Sequence, residues 1–181
     1  MSRLLLIIDI QRDYFPGGAH PLVGPEAAGE AARSLLEHFR ASGDPVIHVQ
    51  HVWDSPDASF MRPGTPGVEI HPIVEPIAGE PVVAKAEPNA FLGTDLEARL
   101  RSADPAELVI AGMMSSMCVD ATTRAAADLG FTVTVAHDAC AAPDLDFDGE
   151  TVPARQVHGA FMAALSGSYA TVTTAEAIIR R

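Results

Sequence analysis

Short apolar runs alternate with amphipathic stretches along the chain. The apolar runs predict six strands, at residues 4–8, 46–52, 81–84, 108–111, 131–136 and 169–172. The amphipathic stretches predict helices at residues 24–42, 94–101, 118–129, 154–165 and 173–179. Strands that alternate with helices form a largely parallel sheet covered on both faces. We therefore predict a three-layer α/β fold with a six-stranded, mostly parallel sheet, in one domain that spans residues 1–181.

Local signals support two of the predicted helix boundaries. Gly43 follows the helical stripe of residues 24–42 and is typical of a helix C-terminus. Thr94 and Glu97 have the spacing of a capping box, which predicts that a helix begins at this point.

The long connection at residues 53–80 lacks periodicity and is rich in proline and glycine. A connection of this length is typical of a functional loop or lid. Trp53 and Phe60 within it, together with Phe15 from the first loop, are predicted walls of a substrate pocket. The alternative is that these aromatic side chains only pin the loops to the core. Phe91, which follows the third strand, is predicted either to line the pocket or to lie at a subunit contact.

The charge and composition of the chain argue against several classes of protein. The 181 residues carry a net charge of −12 and no Lys/Arg-rich run, which argues against nucleic acid and anionic membrane surfaces as partners. Apolar residues make up 48% of the chain, which argues against disorder. The first apolar run is too short for a signal peptide, and two cysteines cannot form a disulfide framework. We therefore expect a cytoplasmic protein that binds a small molecule.

Three of the predicted strands end at chemically reactive residues. The first strand ends at Asp9, the third at Lys85, and the fourth leads through a short turn to Cys118. In a parallel sheet, ligands bind beyond the carboxyl ends of the strands, near the point where the strand order reverses. A structural role is more common for each of these residues taken alone. The coincidence of all three predicts a single site.

Cys118 lies where the predicted helix at residues 118–129 begins. The unpaired N–H groups and the positive dipole end of a helix N-terminus favour the thiolate, which is the nucleophilic form of cysteine. We therefore predict that Cys118 is a nucleophile. Cys140 lacks such a context and is predicted to be a packing residue.

Three stretches of the chain resemble the isochorismatase-like cysteine hydrolases. They are IIDIQRDYF at residues 7–15, Lys85 with FLGTDL at residues 91–96, and GMMSSMCV at residues 112–119. The resemblance implies the sheet order 3-2-1-4-5-6 and a catalytic triad of Asp9, Lys85 and Cys118. It also implies a cis peptide bond between Met113 and Met114 and assembly into a homo-oligomer.

The resemblance implies a reaction as well. Asp9 would take the proton of Cys118, and the thiolate would attack a carbonyl carbon while the backbone N–H groups of Met114 and Cys118 hold the oxyanion. This chemistry predicts an amidase that cleaves a small amide, lactam or carbamoyl compound through a thioester. Two other hypotheses stay open: vinyl-ether hydrolysis of the isochorismatase type with Asp9 as the acid, and a non-catalytic binding module on the same scaffold. Ser115 and Ser116 differ from the residues common at this turn in the family, so no relative's substrate is carried over.

Nicotinamidases of this superfamily bind a metal ion through an Asp-x-His pair after the second strand. Here His51 and Trp53 occupy the corresponding positions. His48 and His51 lie three residues apart on a strand and would face opposite sides, and His71 alone makes a poor metal site. We therefore predict no metal ion and no other cofactor, and an activity other than that of a nicotinamidase.

The acidic stretch at residues 144–149 resembles the start of a calcium-binding loop. However, Arg155 stands at the position where such a loop requires glutamate, so we predict a solvated loop instead. For His137 and His158 we predict structural roles.

Overall fold

Eight strands are present in the computed structural model, which describes residues 2–181. In chain order they are β1 (Arg3–Ile8), β2 (Val46–His51), β3 (Val82–Lys85), β4 (Glu107–Met113), β5 (Val133–Ala141), β6 (Leu145–Phe147), β7 (Glu150–Val152) and β8 (Thr171–Thr173). Six of them form one sheet in the order β3-β2-β1-β4-β5-β8, and every neighbouring pair is parallel. The predicted six-stranded sheet and its order are therefore confirmed, with β8 as the sixth strand.

The helices of residues 2–181 are α1 (Pro25–Ser42), α2 (Leu96–Ala103), α3 (Asp120–Asp128), α4 (Ala154–Ser166) and α5 (Ala175–Ile179). Helices α1 and α5 pack on one face of the sheet, where they share a core with Leu5 and Ile7. Helices α2, α3 and α4 pack on the other face against Leu4, Leu6 and Ile8. Because neighbouring residues of a strand point to opposite faces, the unbroken apolar run of β1 is buried on both sides, and the predicted three-layer fold is confirmed. Within the same residues, no helix combines the length and the apolar composition that crossing a bilayer requires.

Strand β4 approaches β1 closely at Gly112, where its register with β5 shifts between Ile110 and Gly112. Gly112 has a φ of +148°, a conformation that residues with a Cβ rarely adopt. A Cβ at this position would lie 2.1 Å from the carbonyl oxygen of Ile8. Glycine therefore allows the carboxyl ends of β1 and β4 to lie side by side, and these ends lead to Asp9 and to the turn that carries Cys118.

The acidic stretch at residues 144–149 is exposed, as predicted, but it forms part of a β-hairpin, so the prediction of a loop is wrong. Strands β6 and β7 pair antiparallel, with Leu145 opposite Val152 and Phe147 opposite Glu150. Apolar residues at every second position of β6 are a short strand pattern, which the similarity to a calcium loop obscured. The hairpin leaves Phe147 78% exposed.

Two predicted helix starts differ from the structure. Helix α3 begins at Asp120 rather than at residue 118, because a π-helical turn, Ser115–Val119, precedes it. Helix α2 begins at Leu96, and the side chain of its N-cap residue, Asp95, makes no capping hydrogen bond. The hydroxyl of Thr94 accepts the N–H of Leu96 at 3.2 Å, which is not the N–H that a capping box with Glu97 requires.

The long connection at residues 53–80 is held against the first loop by the carboxylate of Asp13. Asp13 Oδ2 accepts the N–H of Met61 at 2.6 Å, and Oδ1 accepts the N–H of Ala19 at 2.9 Å. A Cβ on Gly67 would lie 2.0 Å from Asp13 Oδ1, so the loop passes directly over this carboxylate. The connection is therefore an ordered part of the molecule, tied to β1 through the loop that follows it.

Glu80 anchors the other end of this connection, and we expect its contribution to stability to depend on pH. Its carboxylate accepts two hydrogen bonds from Arg40, at 2.7 Å each, and lies 3.0 Å from His48 Nε2 and from the N–H of Ile77. Burial alone would raise the pKa of Glu80, but the hydrogen bonds from Arg40, Ile77 and His48 outweigh it and lower the pKa to about 2 from 4.5. The group therefore stabilises the fold above pH 4.5, and this contribution is lost as the pH falls toward 2.

Replacing Glu80 with glutamine should lower the free energy of unfolding by about 1–2 kcal/mol at pH 7. The difference from wild type should shrink at pH 3, as urea denaturation at the two pH values would measure. Glu69→Gln is the matched control, since Glu69 pairs with Arg12 at 3.1 Å but its side chain is 60% exposed. If Glu80→Gln lowered the free energy of unfolding equally at both pH values, the lowered pKa of Glu80 would be contradicted.

Candidate active site

The three residues predicted from the strand ends meet at one buried point. Lys85 Nζ lies 2.7 Å from Asp9 Oδ2 and 3.2 Å from Cys118 Sγ. Asp9 is fully buried, and Lys85 and Cys118 are 4% and 3% exposed. Because β2 separates β3 from β1, the side chain of Lys85 reaches past one intervening strand to make these contacts. The carboxylate, the ammonium and the thiol therefore form one cluster at the carboxyl edge of the sheet.

Asp9 holds its carboxylate in this cluster from a left-handed backbone conformation, with a φ of 51°. Such a conformation is uncommon outside glycine, and aspartate is among the residues that tolerate it best. The N–H of Asp9 still donates to the carbonyl of Val49 at 3.0 Å, so the residue stays attached to β2 as β1 ends. Within residues 2–181 no backbone N–H donates to the carboxylate, which pairs with Lys85 and has an oxygen within 4.8 Å of the sulfur of Cys118. The carboxylate is thus free to accept a proton.

Lys85 has two further neighbours that sequence reasoning missed. Its ammonium lies 2.8 Å from His51 Nδ1 and donates to the carbonyl of Glu87 at 3.0 Å. His51 Nδ1 is also 4.0 Å from both Asp9 Oδ2 and Cys118 Sγ. The sequence did hold a sign that His51 belongs to the site. His51 ends β2, and β2 lies between β1, which leads to Asp9, and β3, which ends at Lys85.

The surroundings of Cys118 raise the pKa of its thiol, which is the opposite of the shift that a helix N-terminus would cause. Burial raises the pKa of Cys118, the charge of Asp9 raises it further, and the opposing effect of Lys85 is smaller. A helix N-terminus open to solvent would favour the thiolate, whereas Cys118 lies buried within the π-helical turn before α3. The nucleophile therefore needs a base, and Asp9 is the carboxylate beside it.

The turn that carries Cys118 is fixed by local hydrogen bonds. The peptide bond between Met113 and Met114 is cis. The N–H groups of Met117 and Val119 both donate to the carbonyl of Met114, at 3.1 and 3.2 Å. Next in the chain, Ser115 Oγ is buried and lies 2.8 Å from Nδ1 of His158, on α4. His158, for which we predict a structural role, thus contacts the turn that carries Cys118.

A cavity of about 810 Å³ opens onto Cys118. Its walls include Tyr14, Trp53, Phe60, Met114, Leu145 and Phe161. Trp53 and Phe60 therefore lie where the pocket prediction placed them. Leu145 of the β-hairpin and Phe161 of α4 were missed, because neither lies in a segment that the sequence connected with the strand ends.

Phe15, predicted to line the pocket, and Phe91, predicted either to line it or to lie at a subunit contact, are not among the residues that line this cavity. Phe15 stacks on the ring of His71, with a centroid distance of 3.7 Å, and lines a separate cavity of about 660 Å³. Phe91 stacks on Phe131 at 6.4 Å and packs against the core on the α2 side of the sheet. Each phenyl ring therefore stacks on another ring, an imidazole or a phenyl, that does not line this cavity.

Asp9, His51 and Cys118 have ligand atoms that all lie within 4.8 Å of one another, so the cluster has to be considered as a metal site. The ammonium of Lys85 contacts one atom of each of these residues and already supplies a positive charge at this point. A metal cation bound there would be repelled by Lys85. His48 faces Glu80, away from this cluster. The donor set suits an ion pair better than a metal ion, and we keep the prediction that none is needed.

Comparison with known proteins gives the family. The family model described as the isochorismatase domain matches residues 3–177. An isochorismatase family protein of Bacillus subtilis, YddQ, is 50% identical over 99% of this chain and 100% of its own length, and streptothricin hydrolase of Streptomyces noursei is 39% identical over 96% of this chain and 63% of its own.

Solved structures agree with these sequence matches. An isochorismatase from Pseudomonas putida has a TM-score of 0.91 at 35% identity and covers 97% of this chain and 89% of its own. N-carbamoylsarcosine amidase from Thermoplasma acidophilum has a TM-score of 0.79 at 27% identity and covers 97% of this chain and 98% of its own. The chain therefore belongs to the isochorismatase family of hydrolases, whose members include amidases.

Proposed function

We propose that this protein is a metal-independent cysteine hydrolase that cleaves the C–N bond of a small amide, lactam or carbamoyl compound. One observation carries the proposal: the ammonium of Lys85 touches both the carboxylate of Asp9 and the sulfur of Cys118, and Cys118 lines a largely apolar cavity. A nucleophile, a base and a balancing charge are the groups that acyl transfer through a thioester needs.

The first step is attack on the substrate carbonyl. Asp9 accepts the proton of Cys118, and the sulfur forms a bond to the carbonyl carbon, whose oxygen takes the negative charge. The N–H groups of Met117 and Val119 are engaged by the carbonyl of Met114. We therefore assign the oxyanion to the N–H groups of Met114 and Cys118.

The second step releases the amine and then the acid. The C–N bond breaks as Asp9 gives its proton to the leaving nitrogen, which leaves a thioester on Cys118. Asp9 next takes a proton from water as the water oxygen attacks the thioester carbon. Cleavage of the C–S bond returns a proton to the sulfur and releases the carboxylic acid. Lys85 keeps the charge of Asp9 balanced while the carboxylate alternates between its two forms.

The vinyl-ether hypothesis is less well supported by the contacts. Acid catalysis through Asp9 gives no role to Cys118, whose sulfur lies 3.2 Å from the same ammonium that pairs with Asp9. The hypothesis of a non-catalytic binding module gives no reason to hold a thiol against a buried ion pair, since burying charges is costly.

The test is a panel of small amides, lactams and carbamoyl compounds, with acid quench and intact-mass detection. We expect amine release from at least one compound, together with an added acyl mass that peptide mapping places on Cys118. The matched control is Cys118→Ala, which should give neither signal. Amine release by that variant at the wild-type rate would contradict the thioester route.

We further propose that the protein works in the cytoplasm, as a homo-oligomer. Cys118 and Cys140 are both free, and a reducing compartment keeps a catalytic thiol in its active form. Leu145 and Phe147 of the β-hairpin are 39% and 78% exposed, which supports the expectation of a subunit contact near the cavity. Size-exclusion chromatography with light scattering would test the assembly.

A further inference from the structure

The imidazole of His51 has one nitrogen whose role is fixed by its neighbour. Nδ1 lies 2.8 Å from the ammonium of Lys85. An ammonium carries three donors and no acceptor, so Nδ1 must present its lone pair to Lys85. In a neutral imidazole the ring proton then lies on the other nitrogen, Nε2.

The surroundings keep this ring neutral. Burial lowers the pKa of His51, the charge of Lys85 lowers it further, and the opposing charges of Asp9 and Glu87 do not offset them. The fourth group that faces the ring is the side chain of Cys118, whose sulfur lies 4.0 Å from Nδ1. At neutral pH the ring is therefore an acceptor at Nδ1 and a donor at Nε2.

The position of the ring is set from the backbone. The side chain of Gln11 is fully buried and bonds both backbone groups of His51: Oε1 accepts the N–H at 2.8 Å and Nε2 donates to the carbonyl at 2.9 Å. The same amide donates to the carbonyl of Val68, in the long connection, at 2.6 Å. His51 is therefore held on both sides, by its backbone and by its contact with Lys85.

The other ring nitrogen of His51, Nε2, belongs to a side chain that lines the cavity. The residue lines the cavity with its side chain 13% exposed, and Nε2 has no hydrogen-bond acceptor among residues 2–181. Of the residues that line the cavity, none is lysine or arginine, whereas Asp54 and Glu87 are acidic. A substrate group that accepts a hydrogen bond from His51 is thus favoured when it carries no negative charge.

We propose that His51 determines specificity: its Nε2–H binds an uncharged acceptor of the substrate, such as a ring nitrogen or a carbonyl or ether oxygen, close to the scissile amide. This inference rests on the proposed amide hydrolysis at Cys118. Since Sγ lies 4.0 Å from His51 Nδ1, the acceptor belongs within a few bonds of the carbonyl carbon that the sulfur attacks.

The tautomer can be tested without any substrate. Long-range ¹H–¹⁵N correlation spectra of the full-length protein, assigned with His51→Asn, should show the Nε2–H form of His51 from pH 6 to pH 8. A proton on Nδ1, or a doubly protonated ring at pH 7, would overturn the inference.

Specificity can be tested with pairs of amides that differ in one acceptor. 3-Methoxypropanamide and pentanamide have the same shape, but only the first has an ether oxygen, and succinamate adds a negative charge. The wild-type protein should prefer the ether in kcat/KM and should discriminate against succinamate. His51→Asn keeps an oxygen that can accept from Lys85 and removes the Nε2–H donor, so the ether preference should fall about tenfold. An unchanged preference would overturn the inference.

Two further variants separate this inference from the proposed function. His71→Asn is the matched control, because His71 lies outside the cavity against Phe15, and it should keep the ether preference. Binding of the same amides to Cys118→Ala, with and without His51→Asn, measures the preference when turnover is absent. Binding preference without turnover in the wild type would refute only the proposed hydrolysis, whereas equal binding of the ether and the alkyl amide would refute the role of His51.

Discussion

Cys118→Ala should lower kcat/KM by at least about 10⁴-fold on any amide that the wild-type enzyme cleaves. The sulfur is the only nucleophile that the cluster offers to a substrate carbonyl, because Lys85 is an ammonium paired with Asp9. The fold should persist, since the thiol is small and Asp9 keeps its ion pair. Initial rates of amine release and circular dichroism would measure the two effects.

The matched control is Cys140→Ala. Cys140 is also buried, but its thiol donates to the carbonyl of Ala136 at 3.3 Å and does not touch the cluster. This variant should keep turnover near the wild-type rate. If instead Cys118→Ala kept wild-type turnover, the acid route through Asp9 would replace the thioester mechanism.

Asp9→Asn should abolish turnover while making Cys118 more reactive, which is a combination that few other changes would produce. The charge of Asp9 raises the pKa of the Cys118 thiol and that of Lys85 lowers it. Removing the carboxylate leaves the ammonium alone beside the sulfur, so the thiol should ionise at lower pH than in the wild type. Turnover should nevertheless fall about 10³-fold or more, because no base remains to pass a proton to the leaving amine.

The pH dependence of iodoacetamide labelling would measure this effect, in a Cys140→Ala background so that only Cys118 reacts. Labelling of Asp9→Asn should reach its plateau at lower pH than labelling of the parent. Asp13→Asn is the control, since Asp13 is a buried carboxylate nearby that bonds the long connection instead of the sulfur. A thiol that ionises at the same pH with and without Asp9 would contradict the assignment of Asp9 as its partner.

The sheet and the three clustered residues were predictable because they depend on short-range patterns. Unbroken apolar runs predict strands buried on both faces, and residues at the carboxyl ends of such strands meet at one edge. Asp9 and Lys85 follow directly from this rule. Cys118 also needed the resemblance of its turn to a known family, because a cysteine beside an apolar run is more often a packing residue.

The remaining features depend on contacts between distant parts of the chain. The pKa of Cys118 is raised by its burial and by Asp9, more than 100 positions earlier, whereas a helix start alone predicts a shift in the opposite direction. Phe15 lies outside the pocket, where it stacks on the ring of His71. His51 lies in the cluster because its ring contacts the ammonium of Lys85 and its backbone N–H donates to the side chain of Gln11. No short stretch of the sequence predicts these contacts between distant residues.

The connection at residues 53–80 supplies Trp53 and Phe60 to the cavity but none of the atoms that meet at Lys85. The reacting groups come from strand ends and from the turn after β4, whereas part of the recognition surface comes from a loop fastened at Asp13. Changes in that surface that keep the bond between Gln11 and Val68 would therefore leave the reaction centre in place. A scaffold divided in this way can acquire new substrates by exchanging a loop, while its chemistry is inherited unchanged.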